Sequence, residues 1–441
     1  MFDVRDRPQK VERALLIGVY FDKREEEEHA SLLEELQELV RTLRIGVVAS
    51  ELVFSRGATA RYLMTSGKAA ELMDLAKERN CDCLIFDPEL SPAQQRAWEE
   101  DSQLCVIDRQ EVILDIFAER AQTKEAVLQV DLARMEYSLP RMARMWQHLD
   151  RQGGGSSGAT RGEGEKQIEV DRRLARKRID RVKTELEQVR KQRATQRKER
   201  QKTPTPHAAI VGYTNAGKSS LLNALAQSSV LAEDMLFATL DTTTRRIELP
   251  DGQPLLLTDT VGFVRNLPHR LVEAFKATLE EAVLADFLVH VLDASDARVR
   301  EFHETTLEVL AGLGAGEKPI VTVLNKVDRL RSAQERAALE NEFPEALFLS
   351  AKTGEGLDLL HHKLNEHLLD RVERRLYRIP LARADRISLL HREAKVLSEA
   401  YQGNDALVTA IVPKRLLGKV EEFAVPFSQA ETPSEIVRDL P

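Results

Sequence analysis

The stretch from Ala208 to Gln227 constrains the fold more than any other part of the chain. Four apolar residues, Ala208 to Val211, lead into the loop Gly212-Tyr213-Thr214-Asn215-Ala216-Gly217-Lys218-Ser219, and a helical pattern follows over Ser220 to Gln227. A buried strand that passes through a glycine-bearing loop into a helix is the opening of a doubly wound α/β unit. The N–H groups of such a loop, with a helix N-terminus behind them, wrap phosphate groups. Lys218 is placed to reach the β and γ phosphates as a point charge, and the Ser219 hydroxyl to ligate Mg²⁺.

Further apolar runs at Leu255 to Thr258, Phe287 to Leu292, Ile320 to Leu324 and Ala346 to Leu349 read as strands of the same domain, most followed by helices. Three of them end in motifs that complete the site. Asp259-Thr260-Val261-Gly262 puts a carboxylate where it can hold Mg²⁺ through water, and a Gly262 N–H where it can sense a γ phosphate. In Asn325-Lys326-Val327-Asp328, the aspartate can accept two hydrogen bonds from guanine N1–H and the exocyclic amine. Adenine lacks that pair, so GTP and GDP are preferred over ATP. Asn325 ties the base edge to the phosphate loop, Lys326 covers the ring, and Ser350-Ala351-Lys352 closes the pocket with a backbone N–H toward guanine O6. Each later motif is weak alone, but four in this order, each after an expected strand, leave little room for another reading.

The mobile loop that completes the magnesium site falls within Phe237 to Arg246, beginning Phe237-Ala238-Thr239-Leu240-Asp241. Residue chemistry does not choose among Thr239, Thr242, Thr243 and Thr244. Phe263 stands where a Ras-like enzyme has the glutamine that orients the attacking water, so hydrolysis is expected to need something outside this chain. Asn215 resembles the asparagine of potassium-activated GTPases, which makes K⁺ a candidate cofactor beside Mg²⁺.

A chain of 441 residues has room for about three domains or more. Ala14 to Tyr20, Val47 to Phe54, Cys83 to Phe86 and Cys105 to Asp108 read as strands, with helices at Glu26 to Leu43, Lys68 to Arg79 and Pro92 to Asp101, which predicts a small α/β domain with a mainly parallel sheet. Cys81, Cys83 and Cys105 read as thiols of a reducing compartment rather than metal ligands. No apolar run approaches the roughly twenty residues of a membrane span, and the N-terminus is charged where a signal peptide turns apolar. The expected protein is a cytoplasmic monomer, located in part at the membrane periphery.

Leu128, Leu132, Met135, Leu139, Met142 and Trp146 recur at alternating steps of four and three, as do Ala175, Ile179, Val182, Leu186 and Val189. Two such seams separated by a glycine-rich stretch, residues 153–167, predict an antiparallel helical hairpin with the glycines at its tip and a kink or division at Pro140. The second helix is strongly basic. From Arg172 to Lys202 there are 14 Lys or Arg against 4 Asp or Glu, in a chain whose net charge is −8. On charge alone this is a solvated face as readily as a nucleic-acid surface. After the nucleotide domain, a short strand from Tyr377, a helix over Arg386 to Tyr401, a strand at Ala406 to Val412 and another helix predict a small α/β appendage with a tail from Pro426. The expected division is an N-terminal α/β domain at 1–120, the hairpin at 121–203, a doubly wound nucleotide domain at 204–372, and a C-terminal α/β domain at 373–441.

The motifs Gly212 to Ser219, Phe237 to Asp241 and Asp259-Thr-Val-Gly-Phe-Val-Arg-Asn-Leu-Pro-His, with Ala274-Phe-Lys-Ala-Thr-Leu-Glu-Glu, closely resemble HflX, a translational GTPase family of the Obg-HflX group. Leu90-Ser-Pro-Ala-Gln, Val106-Ile-Asp-Arg, Ile113-Leu-Asp-Ile-Phe-Ala and Asp171-Arg-Arg extend the resemblance well beyond the nucleotide domain. It implies a protein that binds the large ribosomal subunit and, with GTP bound, splits stalled ribosomes into subunits. It also assigns the Mg²⁺ contacts to Ser219 and Thr239. Ribosomal RNA then becomes the expected partner of the basic helix, with Gly153, Gly154, Gly155, Arg161, Gly162, Gly164, Arg172 and Arg173 as candidate contacts. The tip departs from the family's Arg-Gly-Pro-Gly-Glu-Thr-Gln: here Glu163 replaces the proline and Lys166 the threonine. Two other readings remain open at this stage, a GTP-gated assembly or hibernation factor for the large subunit and an RNA-remodelling ATPase. The second lacks a second phosphate loop, since Ser66-Gly67-Lys68 is too short to be one.

Overall fold

The computed structural model describes residues 11–142, 161–200, 205–226, 237, 240, 242–250, 253–265, 280–369 and 372–426. Three sheets organise them. The first, β1 (Arg13–Tyr20), β2 (Gly46–Phe54), β3 (Cys83–Phe86) and β4 (Cys105–Asp108), is wholly parallel in the order β2-β1-β3-β4. β1, β3 and β4 are buried apolar runs because helices cover both faces, among them α1 (Glu26–Thr42), α2 (Ser66–Glu78), α3 (Pro92–Ser102) and α4 (Arg109–Arg120), whereas the edge strand β2 is mostly half-buried. Cys81 and Cys83 are buried thiols and Cys105 is half-buried.

The hairpin is present. α5 (Lys124–Met142) and α6 (Arg161–Arg200) pack together through Leu128, Val182 and Leu186, with Leu132, Met135 and Val189 alongside. The ion pair of Lys183 with Glu136 at 2.8 Å fixes the register, and Ile179 lies opposite Leu139 and Pro140, so the helices run antiparallel. The opposite face of α5 buries Val130, Ala133 and Tyr137 in the N-terminal core, which anchors the hairpin. Tyr137 donates to Asp108 at 2.9 Å, and Arg141 lies 3.3 Å from the same carboxylate.

Pro140 lies inside α5, and the helix is described through Met142, beyond which residues 143–160 lie outside the described residues. One expectation for this segment is corrected. Arg161, Gly162 and Gly164 belong to α6 rather than to a loop. Two glycines cost a helix roughly 1 kcal/mol each, which a 40-residue helix with Glu163, Glu165, Lys166 and Gln167 around them absorbs. Gly153, Gly154 and Gly155 lie outside the described residues.

The second sheet is six-stranded, in the order β10-β9-β8-β5-β7-β6. It comprises β5 (His207–Gly212), β6 (Thr243–Glu248), β7 (Pro254–Asp259), β8 (Phe287–Asp293), β9 (Ile320–Asn325) and β10 (Leu347–Phe348), flanked by α7 (Lys218–Leu225), α8 (Val299–Gly312), α9 (Ala333–Glu342) and α10 (Leu357–Leu369). All pairings are parallel except that of β6 with β7. The third sheet is antiparallel, in the order β12-β13-β11-β14, built from β11 (Val372–Pro380), β12 (Lys395–Gln402), β13 (Asp405–Pro413) and β14 (Ala424–Val425), with α11 (Ala384–Glu393) and α12 (Lys414–Val420). The helix expected over Arg386 to Tyr401 therefore stops at Glu393. Ala394 is extended, and β12 turns back on β13 through Gly403 at φ +62°, a hairpin that the Gly-Asn pair favours. No helix among the described residues is long and apolar enough to cross a membrane.

Candidate functional site

The phosphate loop joins β5 to α7 at the carboxyl edge of the second sheet, where doubly wound folds place their ligands. Glycine is needed at both ends. A Cβ on Gly212, at φ +144°, would lie 2.2 Å from the Val291 carbonyl oxygen, and one on Gly217, at φ +92°, 2.3 Å from Asn325 Nδ2. Between them Asn215 is exposed and left-handed at φ +59°, while Tyr213, Thr214 and Ala216 are buried. Lys218 is buried and donates to the Tyr213 carbonyl at 2.7 Å. Burial lowers its pKa to about 8, Asp259 opposing and Lys326 assisting. An anion beside it would favour the charged form again.

Ser219 follows directly, its hydroxyl donating to Asp259 Oδ2 at 2.6 Å. Hydroxyl and carboxylate oxygens are the hard donors that Mg²⁺ selects, so the pair suits that ion. Thr260 donates to the Ile210 carbonyl at 2.7 Å and Val261 is buried, so both fasten the strand end to β5. Gly262 is packed tightly: a Cβ there would be 2.7 Å from Thr214 Cα and 2.8 Å from Lys218 Nζ. Phe263 pairs with the loop through its backbone, its N–H donating to Gly212 O at 3.1 Å and its carbonyl accepting from Thr214 N at 2.8 Å. Its ring is 4% exposed and belongs to an apolar core that runs from this domain into the N-terminal one. The position that would orient water is thus committed to packing.

On the opposite side, Asn325 donates to the Ala216 carbonyl at 2.9 Å and accepts from the Ala351 N–H at 3.0 Å, joining phosphate loop, β9 and the Ser350-Ala351-Lys352 turn. Lys326 is left-handed at φ +66°, with its ammonium 2.8 Å from Asp293. Val327 is buried, and Ser350 donates to Asp328 Oδ1 at 2.6 Å, aiming the carboxylate. Four segments that are far apart in sequence therefore meet at one edge.

The loop expected from Phe237 to Arg246 is shorter than the sequence suggests. Thr243 and Thr244 lie in β6, with Thr244 hydrogen-bonded to Thr258 at 2.8 Å, because Ile247 buries against the sheet and sets the register. Neither belongs to a mobile loop. Phe237 stacks edge-on against Phe117 at 4.6 Å and Leu240 is buried, whereas Ala238, Thr239 and Asp241 lie outside the described residues. On α6, Arg172 is half-buried and Arg173 exposed.

Two residues that sequence reasoning passed over stand behind the site. Glu35 of α1 accepts the Tyr213 hydroxyl at 2.9 Å and Arg265 Nε at 2.9 Å, all three buried. Burial, reinforced by Glu35, pushes the Tyr213 phenol up, keeping it a donor.

Three family models tile the chain: a GTP-binding GTPase N-terminal region over residues 30–118, its middle region over 120–200, and a 50S ribosome-binding GTPase over 207–326. The GTPase HflX of Akkermansia muciniphila is 57% identical over 434 residues, spanning 96% of this chain and 99% of its own. The chain belongs to the HflX GTPase family. The HflX of Escherichia coli is 44% identical over 85% of this chain and 87% of its own. A crystal structure of SsGBP with GDP aligns over 80% of this chain and 98% of its own, at 25% identity and a TM-score of 0.45. As a member of the HflX family the protein binds guanine nucleotide and hydrolyses GTP.

Proposed function

We propose that this HflX GTPase binds the large ribosomal subunit in its GTP state and splits stalled ribosomes into subunits, with hydrolysis stimulated by the ribosome. The observation that carries the reading is α6. Its apolar seam is spent on α5, which leaves Arg173, Arg176, Lys177, Arg178, Arg181 and Arg190 exposed along a helix of about 60 Å, a shape and charge suited to ribosomal RNA. The burial of Phe263 supports the second clause, since the chain's own residue at that position does not reach the water. The nucleotide contacts belong to the same proposal: the N–H groups of Gly212 to Ser219 and Lys218 for the phosphates, Gly262 for the γ phosphate, Asn325, Lys326, Asp328 and Ala351 for guanine. Ser219 and Asp259 fit Mg²⁺, which when bound neutralises phosphate charge, and Thr239 would be its other protein ligand; K⁺ at Asn215 would serve the same end. The four-part division at residues 120, 203 and 372 and a cytoplasmic monomer complete the picture.

Sucrose-gradient sedimentation tests it. Excess protein with a non-hydrolysable GTP analogue should convert whole ribosomes to free subunits, and deletion of 153–164 should abolish this while sparing intrinsic GTP turnover. Undiminished whole ribosomes would sink the splitting claim.

A further inference from the structure

Glu35 lies in the N-terminal domain, yet the groups its carboxylate accepts from belong to two segments that border the nucleotide site. Oε1 takes the Tyr213 hydroxyl at 2.9 Å and the Arg265 backbone N–H at 3.3 Å, and Oε2 takes Arg265 Nε at 2.9 Å. Tyr213 is a residue of the phosphate loop whose carbonyl holds Lys218. Arg265 is three residues beyond Gly262, and its remaining donors reach Ser31 at 2.9 Å and Glu301 at 3.4 Å. The segment carrying Gly262 is therefore pinned from the N-terminal side, through backbone as well as side chain.

The pinned position has a consequence for the ligand. Gly262 is so close to the loop that even a methyl group on it would come 2.8 Å from Lys218 Nζ and 2.7 Å from Thr214 Cα. The Thr214 N–H is already taken by the Phe263 carbonyl at 2.8 Å. With so little room between Lys218 and Gly262, a γ-phosphoryl group seated between them would be admitted by withdrawal of Gly262, and Arg265, three residues on, would be drawn with it. A diphosphate makes no such demand. A cluster that merely joined two domains would have no reason to grip both segments that border the terminal phosphate.

We propose that Glu35 is a specificity-determining residue for the phosphate chain: by fixing Tyr213 and Arg265 it weights the site toward GDP, and GTP binding is linked to release of this clamp. The inference rests on the nucleotide site proposed above. By thermodynamic linkage, whatever loosens Glu35 from Arg265 favours GTP by the same factor.

The test is a pair of fluorescence titrations on the full chain with Mg²⁺, one with a fluorescent GDP and one with the matching non-hydrolysable GTP analogue. Glu35→Gln should strengthen the analogue relative to GDP by about 5-fold to 150-fold, the usual span of such couplings. Glu35→Asp should restore part of the wild-type ratio, and Tyr213→Phe, which removes one hydroxyl, should shift it in the same direction by a smaller factor. Equal changes in both affinities, or an unchanged ratio, would overturn the proposal. If Glu35→Gln does not fold, the Tyr213→Phe ratio decides alone. Failure of the wild-type chain to bind GDP would instead overturn the site reading beneath it.

Discussion

His290 offers a test of how the nucleotide-binding sheet responds to pH. It sits in β8, next to β5 at the centre of the sheet, with no exposure, and its ring stacks on His303 at 5.1 Å between centroids. Neither ring nitrogen has a hydrogen-bond partner among the described residues. Burial, with the charges of His303 and Lys218 adding to it, lowers its pKa to about 3. In the unfolded chain the ordinary value is about 6.5. A base whose folded pKa is depressed binds its proton preferentially when unfolded, so stability is full above about pH 6.5 and falls as pH drops toward 3. For one such group the loss between pH 7 and pH 5 is about 2 kcal/mol.

The perturbation is His290→Leu, which is similar in volume and has no titratable group. At pH 7 it should stabilise the domain by roughly 1–3 kcal/mol, because it removes a desolvated ring with two unsatisfied nitrogens. The sharper expectation is the difference between pH values: the wild type should lose about 2 kcal/mol more than the variant on going from pH 7 to pH 5. Hydrogen exchange at the β5 and β8 amides, corrected for intrinsic pH dependence, reads the opening free energy of this sheet alone. Equal losses in the two proteins, within about 0.5 kcal/mol, would mean that His290 is protonated or solvated in the native state and would refute the reasoning.

Two further outcomes follow from the site. Phe263→Gln should not raise intrinsic GTP turnover, because the side chain enters an apolar core, and it should cost about 2–4 kcal/mol of stability; a tenfold gain in single-turnover hydrolysis without ribosomes would contradict the burial. Asn325→Ala should weaken GTP and GDP alike by roughly 10-fold to 100-fold, since it strands the Ala216 carbonyl and the Ala351 N–H; loss of one nucleotide but not the other would place Asn325 elsewhere than at the base edge.

What could be read in advance depended on whether a residue's role was local. Strands buried on both faces announce themselves as apolar runs, and Cys83–Phe86 and Cys105–Asp108 were legible to the residue. The edge strands β6 and β12 were not. Thr243–Glu248 and Lys395–Gln402 carry charged and helix-compatible side chains, and only their pairing with β7 and β13 decides their state. Glu35 is the extreme case, one of six glutamates between Glu25 and Glu35 that nothing local distinguishes. Its importance is entirely tertiary.

The same distinction explains Phe263. Sequence position marks it as the missing glutamine, but the reason for phenylalanine lies in the domain next door. Gly262 turns its backbone to the phosphate loop, while Phe263 and Arg265 point the other way, one into the shared apolar core and one onto Glu35. A glutamine in this position would either bury an unsatisfied amide or break the junction, at a cost of about 1–3 kcal/mol for the stranded polar group. The segment that self-sufficient hydrolases reserve for catalysis is here occupied in holding the N-terminal domain. An enzyme so arranged gains a connection between its nucleotide and its other domains, and under the function proposed above it would leave the orienting of water to the ribosome.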